Sequence, residues 1–381
     1  MKLKSILFST LAASTLLFSC SSDPDFIWSD GEYIPEASDG NGMLGFYILN
    51  EGNMGANKCT LDYFDYRSKS YIKNIYAEYN PNVPLELGDT GNDMAVFGQY
   101  LVIVVNGSHK IEVLNAYTAK REGQVNISSP RYVASDGKYV YASSYVGGND
   151  GRGTVSKIDI ESLSVIETCE VGFQPEEMVI TEGKLYVVNS VNLSTYEYDN
   201  TISVIDLSTF TKVADIEAAI NMNHLKIDEY KNLWATSRGN YADIPASLVL
   251  LSKQGGEYAK VKTYDMATSN LAINKNSLYS YQVTYDANWN ATNNFTVSNI
   301  DVNGIIGNPA QFIDSSVAAS IDAPYCIAVQ PYDGSIFITD AKNYISSGKL
   351  YCFNSQGKKQ WEVNTGDIPG HIAFVPNIVN K

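Results

Sequence analysis

The sequence predicts an all-β protein built from repeated four-stranded units, and three observations carry that prediction. The first is composition: among 381 residues there are 27 Tyr and 28 Gly, which with abundant Thr, Val and Ile suit twisted strands joined by tight turns. Leucine-, alanine- and glutamate-rich runs of helical period are hard to find after the first segment. The second is internal repetition. Six segments align: "NDMAVFGQYLVIVVN" from Asn92, "PRYVASDGKYVYASS" from Pro130, "PEEMVITEGKLYVVNS" from Pro175, "NHLKIDEYKNLWATSR" from Asn223, "SNLAINKNSLYSYQV" from Ser269 and "PYCIAVQPYDGSIFITD" from Pro324. Taking Tyr100, Tyr139, Leu185, Leu233, Leu278 and Ile336 as equivalent, the steps are 39, 46, 48, 45 and 58 residues. The third is an incomplete first unit, which offers only "LGFYILN", "CTLDYFDY" and "SYIKNIY" and lacks an inner strand.

In chain order, residues 1–20 place two lysines before an apolar run, Ile6 to Phe18, that is too short to span a bilayer, and then Cys20. That order is a secretory signal. Residues 21–42 are polar and Gly-rich and read as a flexible tether. From residue 43 to 381 each unit continues with two further strands, as in "GTVSKIDIESLSVIETCEVG" and "NTISVIDLSTFTKVADIEA". Four short strands per 40 to 50 residues are the mark of propeller blades. The C-terminal "PGHIAFVP", Pro369 to Pro376, has the pattern of the strand missing from the first unit. A seven-bladed β-propeller is therefore expected, its C-terminal strand closing the first blade and leaving no open edge. Cys59, Cys169, Cys326 and Cys352 are widely spaced, without a CxxC, and read as small buried strand residues rather than zinc ligands or disulfides.

A net charge of −15 sets aside a nucleic-acid or anionic-membrane partner held by a basic surface. Loop length then points to one face. Turns such as "SDGK", "TEGK" and "LSTFT" are short, whereas the loops joining second to third strands, such as "SSYVGGNDGRG", "NSVNLSTYEYDN", "SRGNYADIPA" and "QVTYDANWNATNN", are long. Extra backbone gathered on one face costs entropy and is better explained by binding than by stability. Those loops carry Tyr145, Tyr196, Tyr198, Tyr241, Tyr285, Trp289 and Tyr344, aromatic contact surface among adaptable Asn and Gly. At the start of the inner strands the alignment places Asp93, Tyr132, Glu177, His224, Asn270, Cys326 and His371 around the channel mouth. Such a ring can bind a ligand, hold a metal or line a water-filled channel. The two histidines sit on distant blades, which argues against a shared zinc.

"TISVIDLSTFTKV" and "GKLYVVNS" resemble the YncE-like propellers over nearly the whole mature chain. The WD40 pairs are absent, and "NSQGKKQWEV" is similar to the docking repeat of quinoprotein enzymes but occurs once, against a quinone cofactor. "LLFSC" resembles a bacterial lipobox, implying lipidation at Cys20, and the following "SSDPD" resembles the acidic export signal of Bacteroidota-type surface lipoproteins. Together these resemble the cobalamin-capturing (BtuG-type) propellers. The resemblance implies an outer-membrane, surface-exposed lipoprotein without catalytic activity or cofactor, which holds cobalamin on its loop face beside a TonB-dependent transporter. Tyrosine and tryptophan would pack on the macrocycle, and Asn, Asp and arginines such as Arg131 and Arg238 would bond its amide arms. Two alternatives stay open: a lactonase-like hydrolase holding an axial metal through Glu177, Asn270 and Asp93, and a glycan-binding module stacking sugars on Tyr241, Tyr285 or Trp289.

Overall fold

The computed structural model describes residues 31–83, 87–285 and 291–377, so the signal segment, Cys20 and Trp289 lie outside the described residues. Its strands form seven blades around one axis. Blade 1 takes its inner strand from the far end of the chain: Pro369–Pro376 pairs antiparallel with Met43–Asn50, Phe374 opposite Phe46 and Ile372 opposite Ile48. The closure read from the sequence is the one observed.

Middle strands of a blade are covered on both faces by neighbouring blades, which explains why they are continuous apolar runs. In Tyr100–Val105 every residue after Tyr100 is fully buried, whereas the outer strand Thr211–Glu217 is largely exposed. The core therefore lies between blades. Leu49 and Leu61 of blade 1 pack with Leu101 and Ile103 of blade 2, and Val188 and Ile202 of blade 4 with Leu225 and Leu233 of blade 5. The four cysteines are buried and unpaired. Short turns follow their sequence: in "TEGK" both Glu182 (φ 51°) and Gly183 (φ 74°) take left-handed backbone, the I′ geometry that suits a two-residue hairpin.

Residues 31–42, expected as the end of the tether, pack on blade 1 instead. Glu32–Tyr33 adds a short outer strand beside Ser70–Ile72, and Ile34 and Ala37 are buried in the cluster that holds Phe46 and Tyr66. The apolar residues of "EYIPEA" find a site that a polar tether would leave empty. At Gly40 (φ +77°) a Cβ would come 2.5 Å from the Tyr66 ring, so only glycine fits.

The inner strands of blades 2, 3, 5 and 7 share one irregularity. Register slips by a residue between Gly91 and Asp93, Pro130 and Val133, Met222 and Leu225, and Pro324 and Ile327. A bulge at this level re-aims the side chain that follows it, and it leaves a backbone N–H without its ladder partner. Second-strand hydroxyls replace that partner. Tyr132 N–H donates to Ser143 Oγ (3.0 Å), His224 N–H to Thr236 Oγ1 (3.1 Å) and Cys326 N–H to Thr339 Oγ1 (2.8 Å). Ser143 and Thr339 donate onward to carbonyls of the next blade, Glu176 O (3.1 Å) and Pro369 O (2.6 Å).

Candidate functional site

The entrances to the inner strands bring the expected ring together. Asp93, Tyr132, Glu177, His224, Asn270, Cys326 and His371 all line one axial channel of ≈ 330 Å³ that continues along the inner strands toward the short-turn face. Tyr132, His224, Asn270 and His371 also floor a second cavity of ≈ 350 Å³ that opens among the long loops. The ring is thus a polar waist between two hollows.

Its charges are paired around the circle. Glu177 accepts from Leu225 N–H (3.0 Å), lies 3.2 Å from His224 Nδ1 and takes Lys226 Nζ on its other oxygen. Burial alone would raise its carboxyl, but Lys226 and His224 outweigh that and hold it down at about 2. Burial also lowers His224, which Glu177 only partly offsets, so its neutral form is favoured. His371 is the reverse: burial would lower it, but Asp93, 3.3 Å from Nδ1, and Glu51, 3.8 Å from Nε2, hold it above the ordinary histidine value. Glu51 is raised by burial against the opposing pull of His371 and the Tyr325 hydroxyl, which donates to it at 2.9 Å. Tyr132 lies edge-on to both histidine rings, at 6.4 Å and 6.3 Å.

A second tier sits one residue earlier on each inner strand. Asn92, Arg131, Asn223, Ser269, Tyr325 and Gly370 line the loop-side cavity, while Glu176, at the same position of its blade, is buried behind it. Glu176 takes Arg131 at 3.0 Å, the Tyr145 hydroxyl at 2.7 Å and Arg238 at 3.5 Å. Arg131 also donates to Asn92 and lies 4.7 Å over the Tyr145 ring. Two guanidinium groups are therefore oriented by one buried carboxylate, Arg238 keeping donors toward the cavity. Glu51, Glu176, Lys226, Tyr281 and Tyr325 were not anticipated. The signal available was adjacency: in "PEEM", "PRYV" and "PYCI" the residue before each ring position has the opposite outlook.

The aromatic candidates divide. Tyr196 and Tyr241 are 78% and 77% exposed, and Tyr344 is 45% exposed with its ring edge-on to Tyr325. Met54, Leu193 and Ile345 also project from the same loops. Tyr145 is instead held behind the cavity, its hydroxyl donating to Glu176 and its ring under Arg131. The Tyr198 hydroxyl is directed at Asn240 O (3.5 Å), joining two loops. Tyr285 ends the strand Ser277–Tyr285 on the loop face. Among the described residues no cluster of three or more His, Cys, Asp or Glu is arranged to hold a metal ion.

A family model described as Domain of unknown function (DUF5074) matches residues 44–374. No curated protein matches the sequence. Solved structures similar in fold include Kuenenia stuttgartiensis hydrazine synthase (18% identity, TM-score 0.60, covering 76% of this chain and 95% of that one). A second is the Pseudomonas aeruginosa periplasmic gluconolactonase PpgL (11%, 0.57, 87% and 99%). A third is a quinoprotein alcohol dehydrogenase-like protein from Bacteroides thetaiotaomicron (15%, 0.57, 88% and 79%). At these identities the likeness is one of fold.

Proposed function

From a chain that belongs to the DUF5074 family, whose neighbours share a fold and no common chemistry, we propose a capture protein for a bulky, partly polar solute, with cobalamin as the first candidate. The observation that carries the reading is the contrast on the loop face: a polar cavity with two oriented arginines, surrounded by projecting Tyr196, Tyr241, Met54 and Ile345. A polar floor bonds amide or phosphate groups, and an apolar rim covers a rigid hydrophobic body. The lipobox-like "LLFSC" supports a lipid-anchored protein on the outer membrane, and the resemblance of the whole chain supports handover to a TonB-dependent transporter.

Metal-dependent hydrolysis has less support. Glu177 and Asp93, the carboxylates it would use, are already engaged by Lys226 and His224 and by His371 and the Val133 N–H (2.9 Å). The reading as a non-catalytic receptor is tested by calorimetric titration of residues 21–381 with cyanocobalamin. Tight one-to-one binding, weakened in Arg238→Ala, is expected. Flat heats would remove cobalamin, and Mg²⁺- or Ca²⁺-dependent lactone hydrolysis lost in Glu177→Gln would replace the receptor by an enzyme.

A further inference from the structure

We propose that a radial groove over blades 5 and 6, running outward from the loop-side cavity, is a further binding site for a neutral, polyhydroxylated chain such as an unbranched oligosaccharide. The groove is continuous with the loop-side cavity. A pocket of ≈ 280 Å³ shares Asn223, Arg238 and Ser269 with that cavity. It shares Ala267 and Gln282 in turn with a further pocket of ≈ 330 Å³ nearer the outer edge of blade 6. The three hollows form one path from the axis outward.

The path exists because blade 6 is built differently. Its second and third strands, Ser277–Tyr285 and Ala291–Asn299, are nine residues each, but its fourth is only Ala310–Gln311 and pairs with Thr296 and Val297 alone. Side chains that a full outer strand would accompany are left along the floor of the groove.

Their chemistry selects the ligand. Beyond Arg238 the lining has no ionic side chain: Gln282, Asn294, Thr296 and Gln311 offer carboxamides and a hydroxyl, beside small apolar surface from Ala267 and Val283. Carboxamides both donate and accept, as a chain of hydroxyl groups requires. At the inner end stands Tyr241, 77% exposed on left-handed backbone (φ 58°), an aromatic face against which the C–H side of a sugar ring can lie. Among the described residues neither the Gln282 carboxamide nor the Tyr241 hydroxyl has a hydrogen-bond partner. Anionic and cationic polymers gain little from such a lining.

The test is calorimetric titration of the wild type, Tyr241→Ala, Gln282→Ala and Tyr33→Ala with cellohexaose, maltohexaose and laminarihexaose. One of the three is expected to bind the wild type one-to-one. Tyr241→Ala and Gln282→Ala should each weaken it by about tenfold, the scale of one lost aromatic platform or hydrogen-bonding pair. Tyr33→Ala, on the outer strand of blade 1, should leave it unchanged. No heat with any hexaose, or binding that survives both groove substitutions, would overturn the proposal. Cyanocobalamin titrations on the same preparations separate the two readings: hexaose binding without cobalamin binding leaves the groove and removes the corrinoid, and the reverse result does the opposite.

Discussion

At the scale of single residues, the two axial histidines share a waist yet oppose each other in charge. His371, held up by Asp93 and Glu51, stabilises the fold through its charged form; that contribution is complete below about pH 6.5 and is lost as pH rises through the higher folded value. His224, lowered by burial, stabilises through its neutral form; that contribution is complete above about pH 6.5 and is lost as pH falls through the lower folded value. In the wild type the two contributions together are greatest near about pH 6.5. His371→Gln should therefore give a melting temperature that rises with pH up to about 6.5, and His224→Gln one that falls with pH above it. Thermal melts between about pH 5.5 and 8 check this, and slopes of equal sign in the two variants would refute the assignment. Glu177 adds an acid limb, its contribution present above the ordinary value of 4.5 and lost as pH falls to about 2. The positions of both histidines could be read from the repeat. Their opposite charge preferences could not, because these depend on which carboxylates neighbouring blades supply.

At the scale of the strand, the hydroxyls of Ser143, Thr236 and Thr339 are what allow the inner strands to bulge and aim side chains at the axis. The sequence shows them only as polar residues in apolar runs, "YASS", "WATS" and "IFITD", which invites reading them as strand ends. Thr339 is fully buried, receives Cys326 N–H and donates to Pro369 O, and so ties blade 7 to blade 1. Thr339→Val keeps the shape and removes both bonds. It should cost about 1–3 kcal/mol, the desolvation penalty of buried groups left unpaired, measurable as a shifted denaturant midpoint with an unchanged slope. A variant as stable as the wild type would mean that the bulge N–H finds another acceptor. The pairing of strands within blades was legible because it rests on alternation and turns. Which blade would be cut short was not: the two-residue outer strand of blade 6 lies in a stretch whose polar and small residues carry no periodic signal.

At the scale of the molecule, closure comes from the two ends of the domain meeting on blade 1. The N-terminal part crosses the short-turn face, where Gly40 O accepts from Gln330 Nε2 (2.6 Å) and Gly42 lies under the Tyr332 ring. The C-terminal strand supplies the inner wall of the same blade, with Ala373 and Val375 buried beside Leu49 and Leu101. A chain ending at Ile368 would therefore lose one-seventh of the axial wall and expose the backbone edge of Met43–Asn50 as well as the apolar faces on either side of it. A ring with a gap cannot relax locally, since each blade is held only by its two neighbours. Deletion of residues 369–381 should abolish the cooperative thermal transition and yield aggregating protein through the open edge. Added peptide 369–377 should restore a monodisperse, cooperatively melting species by pairing with that edge, as in other donor-strand assemblies. If the truncated chain instead melts cooperatively without the peptide, the six remaining complete blades suffice, and the last strand serves the axial site through His371 rather than the fold.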